Sequence, residues 1–288
     1  MSRSYLFVPA DSARKLEKAQ QSGADALILD LEDSVAADAR PAARELAREY
    51  LRGKENAWVR VNPMGSEDAD ADLGVVMASA PTGIVLPKSR NAADVVALAA
   101  VLDSLEEQHG IAAGSTRILS ICTETPEALF TLGSYKGATS RLSGLSWGAE
   151  DLSTAVGATA NRDAEGAWLP PYEMARSLCL FAAAAADVPA IDTVYTDFRD
   201  LEGLAMYAAN ARRDGFNGML AIHPAQVDVI NCAFVPSAAE LERARRIVAL
   251  FDQNPGAGTL GMDGEMIDRP HLLQAQRILE LANRLAAL

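Results

Sequence analysis

Carboxylate side chains recur directly after short apolar runs of this sequence. Asp30, Glu32 and Asp33 follow one run, Glu124 follows a second, and Glu150 and Asp151 follow a third. If these runs are parallel strands, their carboxyl ends meet at one edge and the carboxylates converge there. Converging carboxylates repel one another unless a cation or a shared proton lies between them. Mg²⁺ is commonly bound by one or two carboxylates with waters and substrate oxygens, so the pattern indicates a magnesium site.

Cationic and imidazole side chains occupy the same kind of position. Arg60, Lys88 and His223 end or follow other apolar runs. Arginine keeps its charge at any physiological pH and suits the stabilisation of an oxyanion. We expect Lys88 to neutralise part of the negative charge of these carboxylates rather than form a Schiff base. We expect His223 to contact a ligand. Taken singly, each such residue could instead be a helix cap or a solvated turn.

The apolar runs themselves are short, rich in Val, Ile and Leu, and bounded by Gly, Pro or acidic residues, which predicts buried strands. They are Tyr5–Val8, Ala26–Leu29, Ala57–Val61, Gly83–Leu86, Arg117–Ile121, Leu142–Ser146, Ala190–Val194 and Gly218–Ile222. Amphipathic segments between them predict helices at Ala13–Ser22, Arg40–Leu51, Ala92–Gln108, Met174–Ala186 and Asp200–Arg213. This alternation favours a closed (β/α)₈ TIM barrel. An open doubly wound sheet is the alternative, but no G-x-G-x-x-G motif follows any strand.

The last part of the chain has a different pattern. Ala239–Phe251 and Arg269–Leu288 are helix-like, and the glycine-rich segment Gln253–Met262 separates them. We therefore expect a catalytic barrel over residues 1–236 and a C-terminal helical arm or lid over residues 237–288. A glycine-rich break between two helices is typical of a hinge, and equally of a plain surface loop.

Composition excludes several classes of function. The chain has 288 residues, 49% of them hydrophobic, and a net charge of −13. This charge argues against a general nucleic-acid-binding role, which needs a basic face. No apolar stretch is long enough to span a membrane, and no secretory signal is visible. Three cysteines without metal-type spacing indicate reduced thiols and a cytoplasmic protein.

The sequence as a whole resembles the citrate lyase β-subunit family, which includes malyl-CoA and citramalyl-CoA lyases. The matching stretches run in family order from end to end: YLFVPADSARKLEKA (5–19), LILDLEDSVAADARPAAR (27–44), WVRVN (58–62), VLPKS (85–89), TET (123–125), SWGAEDL (146–152), AIHPAQ (221–226), FVPS (234–237) and DGEMIDRP (263–270). LDLEDSV and GAEDL with the intervening VRVN are specific in combination.

The resemblance assigns roles to particular residues. It implies that Glu124 and Asp151 bind Mg²⁺, and that Arg60 contacts the thioester or enolate oxygen. It implies that Asp268, in the C-terminal arm, acts as the acid/base in a neighbouring subunit of a homo-oligomer, expected to be a trimer. Glu32 and Asp33 would orient the waters of the metal or Arg60. The substrate and CoA contacts would come from Phe7, Lys18, Glu150, Ile222 and His223 together with Arg60.

The function implied is cleavage of a 3-hydroxy-carboxyacyl thioester, such as citryl-, citramalyl- or malyl-CoA, into a 2-oxo acid and an acyl-CoA. Three alternatives stay open: a class II aldolase acting on free 2-oxo acids, a thioesterase acting on the same acyl-CoA, and a citrate lyase β subunit dependent on an acyl-carrier protein. The last stays open because Ser12 stands where the family often has an arginine.

Overall fold

Eight parallel strands form a closed barrel. The protein is described here by a computed structural model, which covers residues 2–286. The strands are β1 (Ser4–Pro9), β2 (Ala26–Asp30), β3 (Ala57–Arg60), β4 (Gly83–Leu86), β5 (Arg117–Ile121), β6 (Leu142–Ser146), β7 (Ala190–Asp192) and β8 (Gly218–Ala221). Each strand pairs with the next in sequence, and β1 pairs with β8 to close the ring. The predicted (β/α)₈ architecture is thereby confirmed.

In the part of the chain that the structure describes, α-helices follow every barrel strand except β5. They are α1 (Ala13–Gln20), α2 (Arg40–Leu51), α3 (Glu67–Val76), α4 (Ala92–His109), α5 (Ala149–Ala155), α6 (Pro170–Ala186), α7 (Leu201–Asp214) and α8 (Val227–Ala233). Local signals define several ends: Asn91 caps the first turn of α4, and Gly110 ends it in the left-handed conformation. Within the described residues, no helix is long and apolar enough to cross a membrane.

Alternate residues of the strands fill the barrel interior. Ile28, Trp58, Val85 and Leu119 belong to one buried cluster with residues of β1, β7 and β8. Gly83 makes room for the indole of Trp58, since a Cβ at this position would lie 2.3 Å from a ring carbon. Side chains alternate along a strand, so the residues two positions after Ile28 and Trp58 also face inward. These are Asp30 and Arg60, at the carboxyl ends of β2 and β3.

The chain divides into two compact units between Asn231 and Cys232, a few residues before the boundary expected from the sequence. The second unit contains α9 (Ala238–Asp252), the antiparallel strands β9 (Thr259–Met262) and β10 (Glu265–Asp268), and α10 (Arg269–Ala286). The helices agree with the expected ones, although the predicted end of the last helix at Leu288 lies outside the described residues.

The two strands of the second unit were not expected from the sequence. They are joined by Asp263 and Gly264, which both have positive φ. This is the geometry of a two-residue hairpin turn, and Asp-Gly is a preferred sequence for it. Ile267 of the hairpin is fully buried and belongs to one core with Ile247 and Phe251 of α9. Part of the glycine-rich segment is therefore an ordered hairpin.

Candidate active site

Asp30 and Arg60 form a bidentate ion pair inside the mouth of the barrel. The Asp30 carboxylate accepts hydrogen bonds of 2.7 Å from both Nε and Nη2 of Arg60. It also accepts from the main-chain N–H groups of Glu32 and Ser34. Burial by itself raises the pKa of Asp30, but these bonds and the charge of Arg60 outweigh burial and lower it. Asp30 is therefore a fixed negative charge that orients the guanidinium.

Glu32 and Asp33 surround the remaining nitrogen of that guanidinium. Nη1 of Arg60 lies 3.1 Å from Glu32 Oε2 and 3.5 Å from Asp33 Oδ2. Glu32 is buried and its Oε2 makes no hydrogen bond, whereas Asp33 is about half exposed. Burial raises the pKa of Glu32 to about 7, although the charges of Arg60 and Lys88 oppose this. The structure thus brings Glu32 and Asp33 together at the guanidinium of Arg60.

Glu124 is a buried carboxylate held from two sides. Its Oε2 accepts a 2.5 Å hydrogen bond from the main-chain N–H of Lys88. On the other side lies Gly148, where a Cβ would come within 2.7 Å of Glu124 Cγ and 3.2 Å of Oε1. Burial raises the pKa of Glu124 to about 8; the Lys88 N–H opposes this, and the charges of Glu32 and Asp151 add to it. Such a carboxylate is stabilised by a nearby cation.

Asp151 and Glu150 lie in the first turn of α5, directly after β6. Asp151 Oδ1 is 3.4 Å from the Nζ of Lys88, and the Glu150 carboxylate accepts a 3.0 Å hydrogen bond from Asn161. Glu124, Glu150 and Asp151 all line the same cavity. Because parallel strands end at the same edge of the barrel, the acidic residues after β5 and β6 lie together, although they are distant in sequence.

The cavity at this mouth has a volume of about 300 Å³ and combines an apolar floor with a charged rim. Ile121, Val194 and Leu220 contribute apolar surface, and Arg60 and Asp151 contribute charge. A pocket of this size suits a small organic acid or the acyl end of a larger molecule.

The residues expected to bind CoA are less closely grouped. Phe7 and Ile222 line the cavity, and the Phe7 ring packs 4.7 Å from the Arg60 guanidinium. His223 stacks on Phe198 with ring centroids 4.9 Å apart and caps the following turn. Lys18 is exposed on α1, away from the cavity lining. Ser12 caps the first turn of the same helix.

Asp268 belongs to the second compact unit. Its Oδ1 lies 2.5 Å from Nδ1 of His271, one helical turn along. The hydrogen bond from His271 lowers the pKa of Asp268, so the carboxylate form is favoured. The imidazole of His271 is partly exposed, and its pairing with Asp268 was not expected from the sequence.

Two further residues hold the site in place. Asp30 was expected at the mouth of the barrel but not as the partner of Arg60, and Asp192 at the end of β7, which is fully buried, was not expected at the site. Asp192 accepts a 2.6 Å hydrogen bond from the indole N–H of Trp147, which lines the cavity, and pairs with Arg176. The sequence did contain a signal for Asp192, because an acidic residue occurs near the end of the apolar run AIDTV. Polar residues at the ends of the other predicted strands were taken as site candidates, and the same reasoning applies to this one.

The residues present fit a hard divalent cation at Glu124 and Asp151. Across residues 2–286, no three Asp, Glu, His or Cys side chains are arranged to enclose a metal ion. Mg²⁺ needs no such cage, since one or two carboxylates with waters and substrate oxygens commonly suffice. Gly148 lets the Glu124 side chain lie directly against the backbone after β6, close to Asp151, and this position and the raised pKa of the carboxylate agree with a cation at this place.

Fold and site together define a (β/α)₈ barrel with an acidic cavity at its mouth, and comparison with known proteins gives the family. A family model described as HpcH/HpaI aldolase/citrate lyase matches residues 3–224. The chain therefore belongs to this family, and the resemblance stated from the sequence is confirmed.

Individual relatives cover nearly the whole chain. The (3S)-malyl-CoA thioesterase of Cereibacter sphaeroides is 35% identical over 291 residues, which is 99% of this chain and 96% of that protein. The citrate lyase subunit beta-like protein of Mycobacterium tuberculosis is 35% identical over 278 residues, with 96% and 94% covered. The crystal structure of CitE from the same organism, in complex with magnesium, acetoacetate and coenzyme A, has a TM-score of 0.83 at 34% identity and 98% coverage of both chains.

Proposed function

We propose that this protein is a Mg²⁺-dependent carbon–carbon lyase that cleaves a 3-hydroxy-carboxyacyl thioester into a 2-oxo acid and an acyl-CoA. The observation that carries the proposal is the position of two carboxylates, Glu124 and Asp151, and the half-buried Arg60 around one cavity. CitE, solved with magnesium, acetoacetate and coenzyme A, supports the metal and the ligand class.

Glu124 and Asp151 are proposed to hold the metal. When bound there, Mg²⁺ would polarise the substrate hydroxyl and carboxylate oxygens and make the hydroxyl proton easier to remove. As this proton passes to solvent water, the oxygen electron pair forms the new C=O bond, the adjacent carbon–carbon bond breaks, and its electron pair moves into the thioester as an enolate. The former hydroxyl carbon becomes the ketone of a 2-oxo acid.

Arg60 is proposed to stabilise the enolate oxygen. Its guanidinium is fixed by Asp30 and cannot lose its proton under physiological conditions. A donor set in advance at the place where negative charge develops lowers the barrier more than one that must reorient. Asp30 therefore holds the Arg60 guanidinium in the same orientation before and during bond cleavage, so that it need not reorient as the enolate forms.

Asp268 is proposed to return a proton to the enolate carbon, which balances the proton lost from the hydroxyl. Its hydrogen bond with His271 favours the carboxylate, the form that removes an α-proton in the condensation direction. In the cleavage direction Asp268 must first gain a proton, and His271 is the adjacent group that can exchange one. We propose that Asp268 serves the site of a neighbouring subunit in a closed homo-oligomer, a trimer by resemblance.

A thioesterase is the second candidate, favoured by the name of the Cereibacter sphaeroides relative. In this reaction water attacks the thioester carbonyl, the carbon–sulfur bond breaks and the CoA thiol leaves. The same cavity can accept the same substrate, so product analysis separates the two reactions.

The test is to incubate the purified protein and Mg²⁺ with malyl-CoA, citramalyl-CoA and citryl-CoA, and with the corresponding acyl-carrier-protein thioesters. Release of a 2-oxo acid without release of the free CoA thiol supports carbon–carbon bond cleavage by a lyase. Free thiol without a 2-oxo acid identifies a thioesterase, and reaction of the carrier-protein thioesters alone identifies a carrier-dependent β subunit. The matched variant Glu124→Gln keeps the shape but removes the charge, and undiminished turnover in this variant or in EDTA would reject the metal assignment.

A further inference from the structure

Lys88 links four carboxylates of the site. Its Nζ lies 2.5 Å from Glu32 Oε1, 3.3 Å from Asp33 Oδ1 and 3.4 Å from Asp151 Oδ1. Its main-chain N–H donates to Glu124. The ammonium thus lies among the same acidic groups that a bound divalent cation would neutralise.

The backbone at this position is unusual for lysine. Lys88 has φ of 51°, in the left-handed region that favours glycine and disfavours residues with a Cβ. In this conformation the main-chain N–H meets Glu124 while the side chain reaches the carboxylates of two other segments. A glycine would relieve the backbone and keep the N–H, so the gain from lysine at this position comes from its charged side chain.

Arg60, which lines the cavity, is held more firmly by its carboxylate partner than Lys88 is. Arg60 is bound to Asp30 by two hydrogen bonds, and its side chain is 12% exposed, against 28% for Lys88. The contacts of Lys88 with Asp33 and Asp151, at 3.3 and 3.4 Å, are longer than its contact with Glu32 and are easier to break. Lysine also has a flexible stem and a compact charge, which suit movement between partners.

We propose that Lys88 is an internal counter-cation that holds Glu32, Asp33 and Asp151 together in the metal-free protein and gives up Asp151 when the divalent cation binds. Lys88 therefore weakens the affinity of the site for Mg²⁺ and protects the fold against repulsion between carboxylates when Mg²⁺ is absent. This inference rests on the metal site of the proposed function.

The experiment measures binding of Mg²⁺ to metal-free protein by isothermal titration calorimetry, with MgCl₂ as the only added ligand. Lys88→Met keeps most of the side-chain volume and removes the charge. Lys136→Met is the matched control, because it changes the net charge equally at an exposed position outside the site. We expect Lys88→Met to bind Mg²⁺ about 10-fold more tightly than the unchanged protein, because a nearby positive charge is lost, and Lys136→Met to bind as the unchanged protein does.

Thermal unfolding gives a second measurement on the same samples. Metal-free Lys88→Met should have a lower Tm than the unchanged protein, and saturating Mg²⁺ should remove most of the difference, since a ligand stabilises the state that binds it more tightly. A lower Tm that Mg²⁺ does not restore, with unchanged affinity, would show that Lys88 is only structural and overturn the inference. Weaker Mg²⁺ binding in Lys88→Met would overturn it too. If the unchanged protein binds no Mg²⁺, the proposed function fails instead.

Discussion

Asp30 and Arg60 are register partners across β2 and β3, and their side chains meet on the inner face of the barrel through two hydrogen bonds of 2.7 Å. The pair lies directly above the apolar core residues Ile28 and Trp58 of the same strands. The orientation of the arginine is therefore set by the packed barrel and not by a mobile loop.

Asp30→Asn should lower kcat by about 10- to 100-fold, because Arg60 loses its orienting charge at the cavity. It should also reduce stability, since one partner of a buried ion pair is removed. Asp25→Asn is a matched control at the other end of β2, because Asp25 also accepts two side-chain hydrogen bonds from an arginine, Arg3. It should cost stability without reducing kcat. Equal losses of kcat in the two variants, measured well below both Tm values, would contradict the positioning role of Asp30.

Arg60→Lys should lower kcat by about 100-fold or more while KM changes much less. The charge remains, but a lysine cannot keep two hydrogen bonds to Asp30 and also face the substrate. Steady-state kinetics with the substrate found in the thioester screen checks this. An effect confined to KM would mean that Arg60 only anchors the substrate.

Gly148→Ala should weaken Mg²⁺ binding by about 10-fold, because the new methyl group displaces the Glu124 carboxylate and a ligand displaced by even about 1 Å loses much of its effect. The backbone at Gly148 has φ of −122°, which alanine adopts freely, so backbone strain is not the cause. Gly74→Ala in α3 is the control, because a Cβ there meets nothing within 4 Å. It should bind Mg²⁺ normally and gain up to about 1 kcal/mol of stability. Equal Mg²⁺ affinities by calorimetry would show that Glu124 tolerates the added methyl group.

Asp268→Ala and Glu124→Ala should each be inactive alone and should recover activity when mixed, dissociated and reassembled. The recovery follows if Asp268 of one subunit serves the metal site of the next, because some mixed sites then have both residues intact. Activity measured against the fraction of mixed oligomers, determined by native mass spectrometry, checks this. A mixture that stays inactive despite proven subunit exchange would mean that each Asp268 serves its own barrel.

Glu106→Gln should lower the free energy of unfolding at pH 7 by about 3 kcal/mol, as expected for loss of one partner of a buried ion pair. Burial by itself raises the pKa of Glu106, but Arg141 and the N–H groups of Thr116 and Gly114 outweigh it and lower the pKa from 4.5 to about 2. The stabilisation is complete above pH 4.5 and disappears as the pH falls towards 2.

The difference between Glu106→Gln and the unchanged protein should therefore shrink between pH 4.5 and pH 2. Urea unfolding at several pH values measures it, and Glu107→Gln, at the exposed neighbouring position, is the control. A difference that is constant with pH would contradict the ion-pair explanation.

The sequence pattern did not predict the helix α3 or the hairpin of β9 and β10, and the physical reasons can be identified. The helix α3, with sequence EDADADLGVV, has acidic residues through its first turns and little apolar periodicity, although Ser66 caps it. The hairpin of the second unit carries a recognisable Asp-Gly turn signal. Its flanking strands are only four residues each, so the glycines around them dominated the pattern. Short elements carry too few apolar positions for periodicity to show.

The sequence by itself determined the eight strands, the barrel they form, and the residues at their carboxyl ends, including Arg60, Glu124 and Asp151. These follow from local apolar patterns and from the rule that parallel strands end at one edge of the barrel. Only the tertiary structure decided which of these residues touch. The pairing of Asp30 with Arg60 depends on the register of two strands, and the place of Glu124 depends on the missing Cβ of Gly148 and the N–H of Lys88. Contacts between segments distant in sequence depend on packing and φ values, which residue spacing does not determine.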